Sequence, residues 1–132
     1  MLLLDTNICV FLMKNRFPAA TQKLLDSNPS EIAVSSVTLF ELEYGAANSK
    51  WPEKNRNNVK LFLAPFTIVP FDGNDAIAAG EIRQILEKAG TPIGPYDLQI
   101  ATQGLARGYT VVTHNTGEFS RVPNLQVIDC IE

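Results

Sequence analysis

The sequence predicts an α/β fold, in which a mostly parallel central sheet is covered by helices on both faces in three layers. Short apolar segments alternate with amphipathic helical segments along the chain, as in parallel sheets built from strand–helix–strand units. The first segment, Met1 to Asp5, is apolar up to its last residue, which is typical of a strand buried on both faces. The length of 132 residues is that of one domain. We therefore expect a single domain over residues 1–132.

The elements after the first strand follow from apolar spacing and from proline and turn signals. Asn7 to Lys14 is predicted to be a short apolar helix. Pro18 suits the first position of a second helix over Ala19 to Ser27. An Asn-Pro-Ser turn comes next, and a second strand is predicted over Glu31 to Ser35.

Two helices are predicted in the middle of the chain. The first covers Thr38 to Asn48, because Val37, Phe40 and Tyr44 recur at helical spacing. The second begins at Pro52 and runs through Leu63, where a following proline ends it.

The second half continues the alternation. Thr67 to Phe71 is predicted to be a strand, and its Pro70 favours an edge of the sheet. A long helix over Asn74 to Ala89 ends at Gly90, which supplies the left-handed residue. The last segments predicted are a helix over Pro95 to Arg107, a strand over Tyr109 to Thr113 and a short strand over Leu125 to Ile128.

Composition narrows the class of protein. The 45% hydrophobic and 19% charged fractions are those of an ordinary soluble globular protein. The N-terminal apolar run is too short for a signal peptide or a membrane span, which predicts a cytoplasmic protein without a membrane association. The net charge of -3 argues mildly against an extended nucleic-acid surface.

The remaining counts exclude several kinds of site. Cys9 and Cys130 are the only cysteines and are not in a C-x-x-C motif, so a disulfide framework or a thiolate zinc site is not expected. His114 is the single histidine, and a lone histidine is more often a satisfied or surface residue than a catalyst. Neither of the common glycine-rich nucleotide motifs is present. Any catalytic chemistry must therefore come mainly from carboxylates.

Three acids are predicted at the carboxyl edge of the sheet, where open α/β sheets bind ligands. Asp5 ends the first strand, Glu41 follows the second strand, and Asp97 lies in the first turn of a later helix. Each has a structural alternative. Asp5 could cap the next helix, Thr38-x-x-Glu41 matches a capping box, and Asp97 could only stabilise a helix dipole.

The end of the fourth predicted strand adds three polar residues at the same edge, namely Thr113, Asn115 and Glu118. Asn115 as a turn residue and Glu118 as a solvated acid at a helix start are the alternatives. Clustered carboxylates repel one another unless a cation compensates them, and oxygen ligands select Mg²⁺ or Mn²⁺. The residues thus predict metal-dependent phosphoryl transfer or phosphodiester hydrolysis.

Two other kinds of function fit the residues less well. A small-molecule phosphatase usually has a D-x-D motif, whereas Asp5 is followed two residues later by Asn7. A non-enzymatic protein-binding module would show a depleted acid set, and Asp5, Glu41 and Asp97 are all present.

Four blocks of sequence resemble the PIN-domain ribonuclease toxins of bacterial toxin–antitoxin pairs, the VapC-type group. The blocks are LLLDTNICVFL, SSVTLFELEYGAANS, GTPIGPYDLQIA and VVTHNTGEF, and the resemblance runs from Leu2 to about Asp129. It implies a PIN-like nuclease domain that cleaves RNA with Mg²⁺ or Mn²⁺. The residues that match the family's acids and their neighbours are Asp5, Glu41 and Asp97 as metal ligands, Asn115 and Glu118 as further catalytic residues, and Thr6 and Asn7 as residues that orient Asp5.

The resemblance also implies partners. A small antitoxin would wrap the toxin and bring an Arg or Lys near the acids, and a homodimer would gather basic side chains along one groove. Initiator tRNA is the implied candidate substrate. The chain departs from the family at Thr102-Gln103-Gly104 and at Cys130, where the changes concern packing. The basic candidates are Lys14, Arg16, Lys50, Lys54, Arg56, Lys60 and Arg83.

Overall fold

The computed structural model describes residues 1–14, 19, 22, 24, 26 and 28–129. The predicted helix over Ala19 to Ser27 falls largely outside the described residues, and Pro18, Arg16 and Cys130 fall outside them entirely.

Five parallel strands form one sheet in the order β3-β2-β1-β4-β5, which confirms the predicted fold class. At its centre, Leu4 pairs with Val34 on one side and with Val112 on the other. The third strand lies at the edge, as Pro70 predicts, and Pro70 itself follows the strand. The strands are β1 Leu2–Leu4, β2 Ile32–Ser35, β3 Thr67–Val69, β4 Thr110–Val112 and β5 Gln126–Ile128.

The described helices are α1 Thr6–Met13, α2 Ser36–Ala47, α3 Pro52–Leu63, α4 Gly73–Lys88, α5 Pro95–Arg107 and α6 Thr116–Phe119, with a 3₁₀ turn over Pro29–Glu31. Helix α2 begins two residues earlier than predicted, because Ser35 caps it by accepting a hydrogen bond from the Val37 N–H at 3.0 Å. The short helix α6 was not predicted as a helix. At the other end of α4, Gly90 has the expected positive φ of 74°.

The core has one layer on each face of the sheet, because successive residues of a strand point to opposite faces. Leu4 packs with Ile8 and Leu42 on one face, whereas Leu3 packs with Ile100 and Phe119 on the other. Both Leu3 and Leu4 have no exposed surface, so β1 is buried on both faces as predicted.

Helix α5 is fixed against its neighbours at the positions that depart from the family pattern. Thr102 and Gln103 are fully buried. The Gln103 amide donates to Pro70 O at 3.1 Å and to Asp75 at 3.2 Å. A Cβ on Gly104 would lie 2.8 Å from a methyl of Val111, so the close approach of α5 to β4 requires glycine here. The residues at these positions therefore fix α5, whose first turn carries Asp97, against α4 and β4.

Some apolar residues at helical spacing lie on the surface. On α2, Val37 is buried while Phe40 is 55% and Tyr44 63% exposed. On α4, Ile77 and Ile85 are exposed. Within the part of the chain that the structure describes, no helix is long and apolar enough to cross a membrane.

Candidate active site

The site lies at the carboxyl edge of the sheet, where β1, β2 and β4 end side by side. Asp5 follows β1, Glu41 lies one turn and a half into α2, and Asp97 lies in the first turn of α5. Thr113 and Asn115 follow β4, and α6 supplies Glu118.

Asp5 is held on both of its carboxylate oxygens and is only 1% exposed. The Ile8 N–H donates to Oδ1 at 2.8 Å, so Asp5 caps α1. The Thr113 hydroxyl donates to Oδ2 at 2.5 Å, and the Asn115 N–H donates to that hydroxyl at 2.9 Å. Asp5 therefore both caps α1 and lies at the carboxyl edge of the sheet.

Glu41 is held by Thr6. The Thr6 hydroxyl donates to Glu41 Oε1 at 2.7 Å and lies 3.0 Å from Thr38 Oγ1. The observed partner of Thr6 is thus Glu41 rather than Asp5, which differs from the sequence expectation, since the α1 N-terminus faces α2. Asn7 is exposed and makes no side-chain hydrogen bond within the described ranges. The alternative capping box is not formed, because Ser35 and not Thr38 caps α2.

Glu118 is positioned beside Asp97 by two donors. The Gly94 N–H donates to Oε1 at 2.7 Å and the Asn115 side-chain amide donates to Oε2 at 2.6 Å. A Cβ on Gly94 would lie 3.6 Å from Glu118 Oε1 and 3.8 Å from Asp97 Oδ2. Gly94, the N-cap of α5, is therefore a site residue that the sequence analysis missed. In the sequence, Gly94 stands directly before a proline and two residues before Tyr96. This pattern indicates the start of a helix and gives no sign of a role in the site.

The electrostatics show that the acids interact. Burial raises the pKa of Asp5 to about 6, although hydrogen bonds from Thr113 and Ile8 act against the rise. The pKa of Asp97 is raised to about 7, first by burial and then by the charges of Glu118 and Asp5. Among the residues that the structure describes, no Lys or Arg forms an ion pair with Asp5, Glu41, Asp97 or Glu118.

The donor set is the kind that a hard cation prefers, because all of its ligand atoms are oxygens. The described side chains do not, however, include three His, Cys, Asp or Glu residues arranged to hold one ion directly. An ion in this crevice would complete its shell with water.

A groove of about 760 Å³ begins beside the crevice and runs between α1, α2 and α3. Thr6 and Glu41 line its end at the crevice, and Lys14 lines it as well. Its apolar lining includes Val10, Leu12, Met13, Leu61 and Phe62.

The other basic candidates have local contacts where the structure gives them. Arg56 lies 3.6 Å from Glu43, and Arg83 pairs with Glu87 at 3.0 Å on the same exposed helix face. Lys50 lies over the ring of Trp51 at 5.5 Å. Arg56 and Lys60 line one groove together, beside the acids Glu43 and Glu53.

Comparison with known proteins gives consistent results. A protein-family model described as PIN domain matches residues 2–125. The chain is 42% identical over 127 residues to the tRNA(fMet)-specific endonuclease VapC of Salmonella typhimurium, covering 96% of each protein. It is 40% identical to ribonuclease VapC2 of Rickettsia felis, covering 93% of this chain and 92% of the relative. A crystal structure of DNA-bound VapBC from Salmonella typhimurium superposes with a TM-score of 0.92 at 41% identity, covering 98% of this chain and 97% of the other.

Proposed function

The chain belongs to the PIN-domain family and is a VapC-type ribonuclease, and we propose that it cleaves RNA in the acidic crevice with the help of a divalent cation. The observation that carries this proposal is the set of acids at one sheet edge, where burial and then the charges of Glu118 and Asp5 raise the pKa of Asp97. No Lys or Arg in the described part of the chain forms an ion pair with these acids. The named relatives are ribonucleases, so the alternative of a small-molecule phosphatase has no support.

Each residue of the site has its own role in the proposed reaction. Asp5, Asp97 and Glu41 would hold the cation, directly or through water. Thr113 and Thr6 orient Asp5 and Glu41 through the hydrogen bonds that they donate. Asn115 and Glu118 shape the crevice beside Asp97. When bound, the ion supplies a hold on a phosphate oxygen and a water that loses its proton more readily.

PIN-domain ribonucleases generally depend on a divalent metal, and the oxygen-only donors favour Mg²⁺, with Mn²⁺ as the second choice. The proposed substrate is initiator tRNA, because the Salmonella typhimurium relative named as specific for tRNA(fMet) is 42% identical over nearly the whole chain. Since initiator tRNA is a cytoplasmic molecule, a cytoplasmic location is part of this proposal.

The first prediction tests the reaction itself. Purified protein, free of any partner, is incubated with total RNA and Mg²⁺, and the new RNA ends are mapped by sequencing. We expect cuts concentrated in initiator tRNA, and no cuts after chelation of the divalent ion. Unaltered RNA at all Mg²⁺ and Mn²⁺ concentrations would contradict the proposed activity, whereas cuts in another RNA would contradict only the substrate.

We further propose that the apolar groove binds an antitoxin segment. One solved structure with a similar fold, at a TM-score of 0.92, is that of VapBC from Salmonella typhimurium. The groove offers apolar walls and ends at Glu41, so an apolar segment that carries a Lys or Arg at one end would fit it. That cation would compensate the acids in place of metal and block RNA at the same time. We also propose that the chain forms the homodimer that the family resemblance implies. Light scattering, which gives the mass of the particle in solution, tests this.

Gly45→Leu is the second prediction, and it tests the groove. Gly45 lies in α2, lines the groove and has nothing within 4 Å of an added Cβ. A leucine there should project into the groove, since its Cβ meets no neighbouring atom within 4 Å. Because Leu forms helices better than Gly, the free energy of unfolding should rise by about 0.5–1 kcal/mol. Affinity for the antitoxin should nevertheless fall at least about tenfold, as measured by calorimetry, and RNA cleavage should escape inhibition.

Gly80→Leu is the matched control. Gly80 lies in α4, far from the groove, and also has open space around an added Cβ. It should gain the same helix stability and bind the antitoxin like the wild type. Equal binding by the Gly45→Leu protein would show that the antitoxin docks elsewhere.

A further inference from the structure

Two exposed aromatic rings form a pair beside the acids. Phe40 is 55% exposed and Tyr96 is 43% exposed. Their ring centroids lie 5.9 Å apart with an interplanar angle of 69°, an edge-to-face arrangement. The pair joins α2 to α5, the two helices that carry Glu41 and Asp97.

The position of each ring follows from its helix. Phe40 directly precedes Glu41, and Tyr96 directly precedes Asp97. Neighbouring residues of an α-helix are about 100° apart around its axis, so each ring lies to one side of its acid. The two rings thus lie side by side along the edge of the acidic crevice.

Core packing accounts for only part of these side chains. Phe62 and Phe66 make a comparable edge-to-face pair at 5.4 Å, and that pair packs against the buried core. Phe40 and Tyr96 belong to neither core layer. Single exposed apolar residues are common, but here two rings meet at the place where two candidate catalytic acids emerge.

The negative charge of the protein makes contacts that do not depend on charge important for binding RNA. The chain has a net charge of -3, and four carboxylates line the crevice, so phosphates are repelled there unless cations intervene. Stacking of a base on an aromatic ring does not depend on charge, and every base has a face that can stack. Unpaired bases of RNA are commonly recognised in this way.

We propose that Phe40 and Tyr96 bind an unpaired base of the RNA substrate next to the cleaved phosphate; this inference rests on the proposed ribonuclease function. The rings hold the base while the acids act on the adjacent phosphodiester. They are binding residues for an RNA loop and give no selection between bases beyond their stacking strength.

The test uses an RNA stem–loop that the wild-type protein cuts, with kcat and KM measured for single variants. Phe40→Leu and Tyr96→Leu keep apolar side chains but lose the ring, so KM should rise at least about fivefold, with kcat changed less than about twofold. Tyr96→Phe keeps the ring and should behave like the wild type. Trp51→Leu removes another exposed ring (61% exposed), at the N-cap of α3, and should leave KM unchanged.

A second series identifies the base. Each loop nucleotide in turn is replaced by an abasic one, and the loss is measured with wild-type and Phe40→Leu proteins. At one position, removal of the base should weaken the wild type but not the variant any further, because the same contact is already lost. Additive losses at every position would overturn the inference, and so would an unchanged KM or an equal effect of Trp51→Leu.

Two further measurements separate this inference from the proposed function. Light scattering gives the mass of each variant, and a change of mass that accompanies the loss of activity would assign the rings to a protein interface instead. Absence of cleavage by the wild type would contradict the ribonuclease proposal. In that case, quenching of a 2-aminopurine base in the loop of an initiator-tRNA stem–loop, on binding to wild-type and Phe40→Leu proteins, still decides whether the rings stack a base.

Discussion

Asp5→Asn should abolish RNA cleavage and leave the protein folded. Asn has the size of Asp and caps helices about as well, so its carbonyl oxygen still accepts from the Ile8 N–H at the start of α1. The variant loses the negative charge that would help to hold a cation. Because rigidly placed groups are those on which catalysis depends, we expect the cleavage rate to fall more than about a hundredfold.

Thermal melting and RNA cleavage are measured on the same preparation. Asp72→Asn is the matched control, since Asp72 also caps a helix, accepting from the Asp75 N–H at 2.9 Å, but lies at the start of α4 away from the acids. That variant should cut RNA normally. If the Asp5→Asn protein cuts RNA at the wild-type rate, the cap is the whole role of Asp5 and the site is elsewhere.

The sequence was sufficient for the sheet and for the edge at which the acids lie. Buried parallel strands are continuous apolar runs, so their ends can be located from composition alone. Parallel strands place all of their carboxyl ends at one edge, which brings Asp5 and Glu41 to the same region. Local pattern could not choose the start of α2, because Ser35 and Thr38 both carry hydroxyls that cap helices well.

The contacts within the site depend on packing between distant segments. Thr6 meets Glu41 across 35 residues, and the Gly94 N–H meets Glu118 across 24 residues. No periodicity in the chain encodes these partners. Helix α6 has only four residues, too few to show a helical repeat. Helical spacing likewise indicates an apolar stripe, but it does not tell which residues, such as Phe40, stay in water.

The last prediction concerns the metal-free protein, in which Asp97→Asn should raise thermal stability at pH 8. The pKa of Asp97 is raised from 3.8 to about 7 in the folded state. The folded protein therefore binds more protons than the unfolded chain between these values, and its stability falls as pH rises through this window. The stabilising proton is fully present below about pH 3.8 and is lost above pH 7.

Above pH 7 the wild type keeps a charged carboxylate beside Glu118 and Asp5, whereas Asn carries no charge. With the shift discounted for the partial exposure of Asp97, the gain in free energy of unfolding should be about 2 kcal/mol, or roughly 6 °C in Tm. At pH 4 the two proteins should melt within about 2 °C of each other. Asp5 contributes a slope of the same sign up to about pH 6, which the variant retains.

Divalent cations should reduce this difference in Tm. An ion that binds only the folded state raises its stability with concentration, so Mg²⁺ at pH 8 should raise the Tm of the wild type more than that of Asp97→Asn. Glu81→Gln, which removes an exposed carboxylate of α4, should follow the wild type with and without Mg²⁺. A wild-type pH slope in the metal-free Asp97→Asn protein would show that the Asp97 carboxylate does not interact with its acidic neighbours. The proposal that this carboxylate helps to hold the cation would then have lost its electrostatic basis.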